Sequence, residues 1–292
     1  MAKSVKLFCF GFGQVAKYFI KNLINEGTDL TITATNTSKT QIKTIGDFKF
    51  KSFFFNNDKF DRNLINKLKF SNFILISIPP VNKEDLVLKL FEKEIKNSNC
   101  KWLTYLSATN VYGDQKGNWV DEKSSPNPQS EKGKARLFAE KQWLNLFKQN
   151  KMPIQIFRLS GIYSQENNIL FRLQKRSLKV VNKKDHFFSR IHVEDIANIL
   201  KLSLTKFKSG ETYNISDDMP CSNIEIPNFA ANLTKMSLPK VIELNEIKSE
   251  MLQNFYKDSK KVSNNKIKEV FSCKLKFPTY KEGLRAIFNK ST

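Results

Sequence analysis

Residues 11–16 read Gly-Phe-Gly-Gln-Val-Ala, a G-x-G-x-x-A turn directly after the apolar run VKLFCF. In such a turn the first glycine allows the tight bend, and the second lets the backbone approach a pyrophosphate. The closing alanine lets the following helix pack on its strand, and the helix N-terminus supplies amide donors. Gly11, Gly13, Gln14 and Val15 are therefore the expected cradle of a dinucleotide. A second chemical cluster lies in NPQSEKGKARLFAEKQW, residues 127–143, which reads as a capped helix start. Lys132, Lys134 and Arg136 occupy its first two turns, where cations oppose the helix macrodipole by ~0.3–1 kcal/mol each. An anionic ligand facing them would account for their presence, with Arg136 on the ribose of a cofactor and Lys134 in solvent. The alternative is a solvated basic face in a lysine-rich chain.

An acid after the second strand of a dinucleotide fold grips the ribose hydroxyls of NAD. Here the region reads TATNTSKT, which offers Thr35, Asn36, Ser38 and Lys39 and no carboxylate. Hydroxyls with a lysine suit the 2′-phosphate of NADP, so NADP(H) is expected over NAD(H).

These groups need a scaffold, and the hydrophobic periodicity supplies one. Strands are expected at 5–10, at 30–35 (LTITAT), through SNFILISIPP as far as Ile78, at 101–107 (KWLTYLS) and at 154–160 (IQIFRLS). Between them Val15, Phe19, Leu23 and Ala16, Ile20, Ile24 form adjoining helical stripes, closed by Gly27 as a C′ residue. EDLVLKLFEKEI is helical, and the helix after Ser130 shows one apolar face of Ala135, Phe138, Ala139, Trp143 and Leu146. The alternation predicts an α/β chain, a Rossmann-type doubly wound parallel sheet. Ile78, Pro79 and Ser107, at strand ends, join the expected cofactor-binding residues. Beyond Ser160 a helix in NNILFRLQKRS, a helix from RIHVEDIA onward and a strand at ETYNIS precede a smaller mixed lobe. The expected division is 1–163 plus 186–217 for the dinucleotide domain and 164–185 plus 218–292 for the substrate-side lobe.

Lys and Arg total 49 against 28 Asp and Glu, a net charge of +21. The lysines are spread along the whole chain without a nucleic-acid motif, so the charge reads as compositional bias and nucleic acid is not an expected partner. FILISIPPV is too short to span a bilayer, and the N-terminal apolar run ends in a glycine turn, not at a cleavage site. No membrane association and a cytoplasmic location are expected. Cys9, Cys100, Cys221 and Cys273 form no C-x-x-C pair, and His186 and His192 are the only histidines, so no metal site is expected.

Several segments then resemble, in order, those of the extended short-chain dehydrogenases/reductases, the epimerase/dehydratase-like family. YLSATNVYGDQKGNWVDE is similar to its S-[ST]-x-x-V-Y-G segment, and NPQSEKGKARLFAE falls where it carries P-x-S-x-Y-x-x-x-K. RLSGIYS, RIHVEDIA, YNISDDMP and FPTYKEGLRAI follow. LISIPP and the shortened glycine turn look like an atypical branch. The resemblance implies a Rossmann domain with bound NAD(P) and a smaller lobe for substrates that are often nucleotide sugars. It also implies a Tyr general acid/base, activated by a Lys four residues on, with a hydroxyl on the reacting oxygen. At the matching positions this chain has Lys132, Arg136 and Ala108. Lysine can carry a proton when desolvated, and arginine cannot lose one but can donate to ribose. Thr109, Ser107 and Tyr112 add nearby hydroxyls, and Tyr163 is a candidate substitute acid. The catalytic candidates are thus Lys132, Arg136, Thr109 and Tyr163, while His192 reads as structural. Two readings stay open: an oxidoreductase or sugar-nucleotide-modifying enzyme relative with non-standard or lost catalytic residues, and a non-catalytic NADP(H) sensor. An anionic small molecule is the expected ligand, and a homodimer is compatible with the sequence.

Overall fold

The computed structural model describes residues 4–183, 185–238, 240–248, 253 and 256–290. The chain packs as two compact units. The first holds residues up to Ala108, Lys134–Arg158 and Ile196–Tyr213, and the second holds Thr109–Gly133, Leu159–Asp195 and the chain from Asn214 onward.

Unit 1 is built on a nine-stranded sheet that also takes in the last residues of two strands. Its strands are β1 (Val5–Phe10), β2 (Leu30–Asn36), β3 (Gln41–Ile45), β4 (Phe48–Asn56), β5 (Lys59–Phe60), β6 (Phe73–Ile76) and β7 (Trp102–Ala108). Strand β8 (Trp119–Val120) lies in unit 2, and β9 (Ile154–Leu159) returns to the sheet. With Thr212–Ile215 as the last strand, the path runs β9-β7-β6-β1-β2-β4-β3 inward from that strand, and β5 pairs with β4. β1 pairs in parallel with both β2 and β6, at Leu7↔Ile32 and Leu7↔Phe73. The chain therefore leaves β1 toward β4 on one side and resumes at β6 on the other, which opens a crevice at the strand ends where direction reverses. The expected doubly wound architecture is present.

Three features depart from the sequence reading. The segment 41–60, which periodicity left unassigned, forms β3 antiparallel to β4, with β5 antiparallel beyond. β6 stops at Ile76, two residues short of Ile78. There the Ser77 backbone N–H donates to Phe10 O at 2.9 Å, and its hydroxyl donates to the carbonyls of Phe10 and Gly11. Phe138 is 53% exposed, whereas Ala135, Ala139, Trp143 and Leu146 are buried. The buried face of α4 (Glu131–Asn150) also includes Glu140, 1% exposed, which turns Phe138 to its outer edge.

Helix α1 (Gln14–Asn25) buries Val15, Ala16, Phe19, Ile20 and Leu23, and Gly27 takes φ +68° just past its end. α2 (Asn63–Lys69) buries Leu64 and Leu68. α3 (Leu86–Lys96) is capped by Asp85, whose Oδ1 accepts from the amides of Val87 and Leu88. The other oxygen of Asp85 accepts the Trp143 indole N–H at 2.9 Å, so one buried carboxylate ties α3 to α4. One core cluster, with Phe8, Phe10, Phe53, Phe91, Tyr105 and Trp143, joins the sheet to α2, α3 and α4.

Unit 2 has short strand pairs, among them β10 (Gly161–Tyr163) with Arg190–His192 and β8 with Lys261–Val262. Its core gathers Tyr163, Leu170, Leu173, Ala230, Tyr280 and Leu284. The helix Tyr280–Asn289 opens with a Thr279–Glu282 capping box. Among the described residues no helix is long and apolar enough to cross a membrane.

Candidate functional site

The glycine turn is held from two sides. Gly11 adopts φ +88°, and its amide donates to Thr35 Oγ1 at 2.8 Å. A Cβ at this position would lie 2.7 Å from Ile78 Cγ2 and 2.8 Å from Ser77 Oγ. Only glycine fits that conformation and that gap, so Gly11 is fixed by the fold itself. Gly13 is the opposite case. It sits at φ −85°, exposed, with nothing within 4 Å of a built Cβ. As the N-cap of α1 it contributes no side-chain cap, and no acid stands in the first turn. The sequence places glycine where the protein alone does not need it, which fits a backbone left open to a ligand. Phe12, between them, packs edge-on against Phe50 at 4.9 Å, and Val15 is buried, so its share in a cradle is its backbone.

After β2 the loop folds around Asn36. Its Oδ1 accepts from the amides of Ser38 and Lys39 and from the Ser38 hydroxyl, and its Nδ2 donates to Lys39 O and Ser52 Oγ. Asn36 thus shapes the turn, while Ser38 and Lys39 are exposed on it. Ile78 is half-buried against Gly11, and Pro79 is exposed. At the end of β7, Ser107 is 2% exposed and its hydroxyl has no hydrogen-bond partner. Arg136, half-buried on α4, donates from Nη1 to Leu106 O at 3.3 Å. One turn along the same helix, Glu140 holds Arg158 of β9 in a buried pair, with Nη2 to Oε2 at 2.7 Å. That pair and the Ser77 hydrogen bonds to Phe10 and Gly11 are not predicted from the sequence; nothing in its spacing connects Glu140 with Arg158.

The remaining candidates belong to unit 2. Ser130 caps the α4 start by accepting from the Gly133 amide at 3.1 Å. Gly133 packs so tightly that a Cβ would lie 2.8 Å from Asn110 O. Lys132 is exposed, as is Lys134 in unit 1, and Thr109 is half-buried in a short 3-10 turn, Thr109–Tyr112. Tyr163 is 5% exposed, and its hydroxyl lies against the helix Tyr280–Asn289: a Cβ on Gly283 would fall 2.1 Å from it. Burial, and next the nearby Asp217, push its phenol well above the ordinary range. His192 packs between Tyr163 and Phe277, and its Nδ1 accepts the Glu194 amide at 3.2 Å. Desolvation holds this imidazole down at about 4. Asp195 accepts the amides of Lys276 and Phe277, and burial raises its carboxyl to about 6. The four cysteines are free, and Cys9, Cys221 and Cys273 are buried.

The site geometry meets the comparisons with known proteins at residues 85–216, which match the NAD dependent epimerase/dehydratase family model. A functionally unknown conserved protein from Silicibacter pomeroyi DSS is 31% identical, with 98% of each chain covered and a TM-score of 0.85. A dTDP-glucose 4,6-dehydratase from Streptomyces venezuelae, solved with NAD and DAU bound, shares the fold. It is 13% identical, with a TM-score of 0.76 over 97% of this chain and 95% of that one. A curated dTDP-D-glucose 4,6-dehydratase of Dictyostelium discoideum is 25% identical over 160 residues, which is 48% of this chain and 36% of that protein. The ordered segments and these matches agree, and residues 85–216 of the chain belong to the NAD dependent epimerase/dehydratase family.

Proposed function

We propose that the chain binds NADP(H) at the glycine turn and acts on, or responds to, an anionic small molecule of the nucleotide-sugar type. The observation that carries this is Gly13, a glycine with open space where the fold would accept a side chain. Gly11, Gly13, Gln14 and Val15 would hold the pyrophosphate, and Ser38 and Lys39, on the turn that Asn36 shapes, the 2′-phosphate. Ile78, Pro79, Ser107 and Arg136 would border the rest of the cofactor. The dinucleotide, when bound, supplies hydride donation or acceptance. In this reading residues 1–163 plus 186–217 serve the cofactor and 164–185 plus 218–292 the substrate, in a cytoplasmic protein, as a monomer or a homodimer.

The non-catalytic alternative draws on two further observations: the tyrosine position carries Lys132 in solvent, and Tyr163 is packed on Gly283, not open to a ligand. Titration of NADPH and NADH into the parent, Arg136→Ala and Lys134→Ala tests the binding. Loss of a charged hydrogen bond costs ~1.5–3 kcal/mol, so Arg136→Ala should weaken NADPH by about one to two decades and Lys134→Ala should change it little. Equal affinities in all three would reduce these bases to surface charge.

The same protein should turn over common nucleotide sugars at least ~10²-fold below rates usual for the family, since positioned acid–base groups contribute ~10²–10⁴-fold. Robust epimerase or dehydratase turnover of UDP- or dTDP-sugars would point to Lys132 or Tyr163 as the replacement acid/base.

A further inference from the structure

Between Glu166 and Asp185 the chain carries Arg172, Lys175, Arg176, Lys179, Lys183 and Lys184 and no acid. The helix Ile169–Gln174 and the turn after it lie in unit 2. There Arg172, Lys175, Arg176 and Lys179 are exposed, whereas Leu170, Leu173 and Leu178 between them are buried. The segment gives its aliphatic positions to the core and shows its cations to water.

A strand pair widens the patch. Val180–Asn182 runs parallel to Val241–Glu243 with Val180 opposite Val241, which sets Lys179 beside Lys240, also exposed. None of these five cations forms an ion pair among the described residues. Glu243, two residues beyond Val241, is engaged with Glu246 in a capping box.

Apolar side chains stand among the cations. Phe171 is 44% exposed and Val241 is 38% exposed. A free phosphate would use the charges and leave these side chains in water. A single-stranded nucleic acid would stack a base on the Phe171 ring, but Lys175 Nζ already lies over that ring, 4.3 Å from its centre. Cations set around exposed apolar side chains match a surface that is anionic outside and apolar just beneath, the face of a bilayer with acidic headgroups. Such a contact needs no membrane-spanning segment, so the short apolar runs of the sequence do not bear on it.

We propose that this face of unit 2 docks on an anionic lipid surface, with the five cations on the headgroups and Phe171 entering the interface. The docking does not depend on the reading of the dinucleotide site. The full chain is sedimented with vesicles of phosphatidylcholine alone and with vesicles in which phosphatidylserine makes up roughly a third of the lipid. Binding to the mixed vesicles alone is expected, and it should weaken at high salt as screening shortens the reach of the charges. Each cation near such a surface is worth roughly fivefold in partitioning, so Lys175→Gln, Arg176→Asn, Lys179→Gln and Lys240→Gln combined should bind at least about tenfold more weakly. Asparagine is chosen at 176 because Arg176 has φ +51°, which asparagine tolerates. A second combination, Lys49→Gln, Lys67→Gln, Lys69→Gln and Lys148→Gln, removes the same charge from exposed positions of unit 1 and should lose less than about threefold. All eight positions are exposed, so both combinations should melt as the parent does. Phe171→Ala should weaken binding about threefold or more, since no ring then leaves water. Three results would each overturn the proposal: equal binding to the two kinds of vesicle, equal losses in the two combinations, or a preference for polyuridylate RNA over the mixed vesicles.

Discussion

A Gly13→Val protein should fold like the parent and lose at least two decades of affinity for NADPH. The backbone at this position is in the extended region, which valine adopts readily, and nothing stands within 4 Å of the new Cβ. Relief of unfolded-state entropy and the poorer N-cap character of valine offset one another, so stability should shift by less than about 1 kcal/mol. Only an approaching pyrophosphate would meet the side chain. Gly11→Ala supplies the contrast. There the φ of +88° and the 2.7 Å approach to Ile78 Cγ2 strain the apo fold, so stability and binding should fall together. Thermal melts beside NADPH titrations of both variants make the comparison, and unchanged affinity in a folded Gly13→Val protein would remove the dinucleotide from this turn.

Glu140→Ala should destabilise the chain by about 3–5 kcal/mol, because it leaves the Arg158 guanidinium buried without its counter-charge. Both side chains are almost inaccessible, 7% and 2% exposed, and the contact is forked: Nε lies 3.1 Å from Oε1 and Nη2 lies 2.7 Å from Oε2. A loss of that size is a large share of the ~5–15 kcal/mol that holds a typical domain together. Replacing both partners, as Glu140→Leu with Arg158→Met, should recover much of it, since the penalty comes from the orphaned charge more than from the lost attraction. Urea unfolding of the single and double variants reads the difference. A single-variant cost below about 1 kcal/mol would mean that water reaches Arg158.

What could be read from the sequence was what depends on near neighbours. The G-x-G-x-x-A turn, the stripes of α1 and its Gly27 terminus are set by residues a few positions apart, where strand and helix periods speak directly. The hairpin at 41–56 was missed although FKFKS alternates, because its lysines face outward and its apolar positions are broken by Gly46 and Asp47. Phe138 was misplaced because an apolar face was drawn without Glu140, and a buried glutamate becomes sensible only once Arg158 is known to meet it. Asn36 reads as a polar side chain toward the 2′-phosphate of NADP, but its amide is engaged by its own loop and by Ser52, and that partner comes from a different strand. Long-range pairing, not residue type, is the missing information at Phe138 and Asn36.

The neighbours His192 and Asp195 have a consequence for acid tolerance. The His192 imidazole, at about 4 in the fold against 6.5 in the open chain, takes up its proton more readily when unfolded. Stability from that group is complete above pH 6.5 and drains away as the pH falls toward 4, by about 3 kcal/mol in all. Asp195, at about 6 against 3.8, works in the reverse sense: the folded carboxyl holds a proton that the unfolded one releases, so stability rises as the pH falls from 6 toward 4, by a similar amount. Across that window one group resists protonation while the other invites it, and their contributions to proton uptake on unfolding cancel. The pair's own contribution to stability is nearly level between pH 6 and 4. Asp195→Asn should expose the histidine's slope, with the melting temperature falling more steeply with pH over that interval than the parent's.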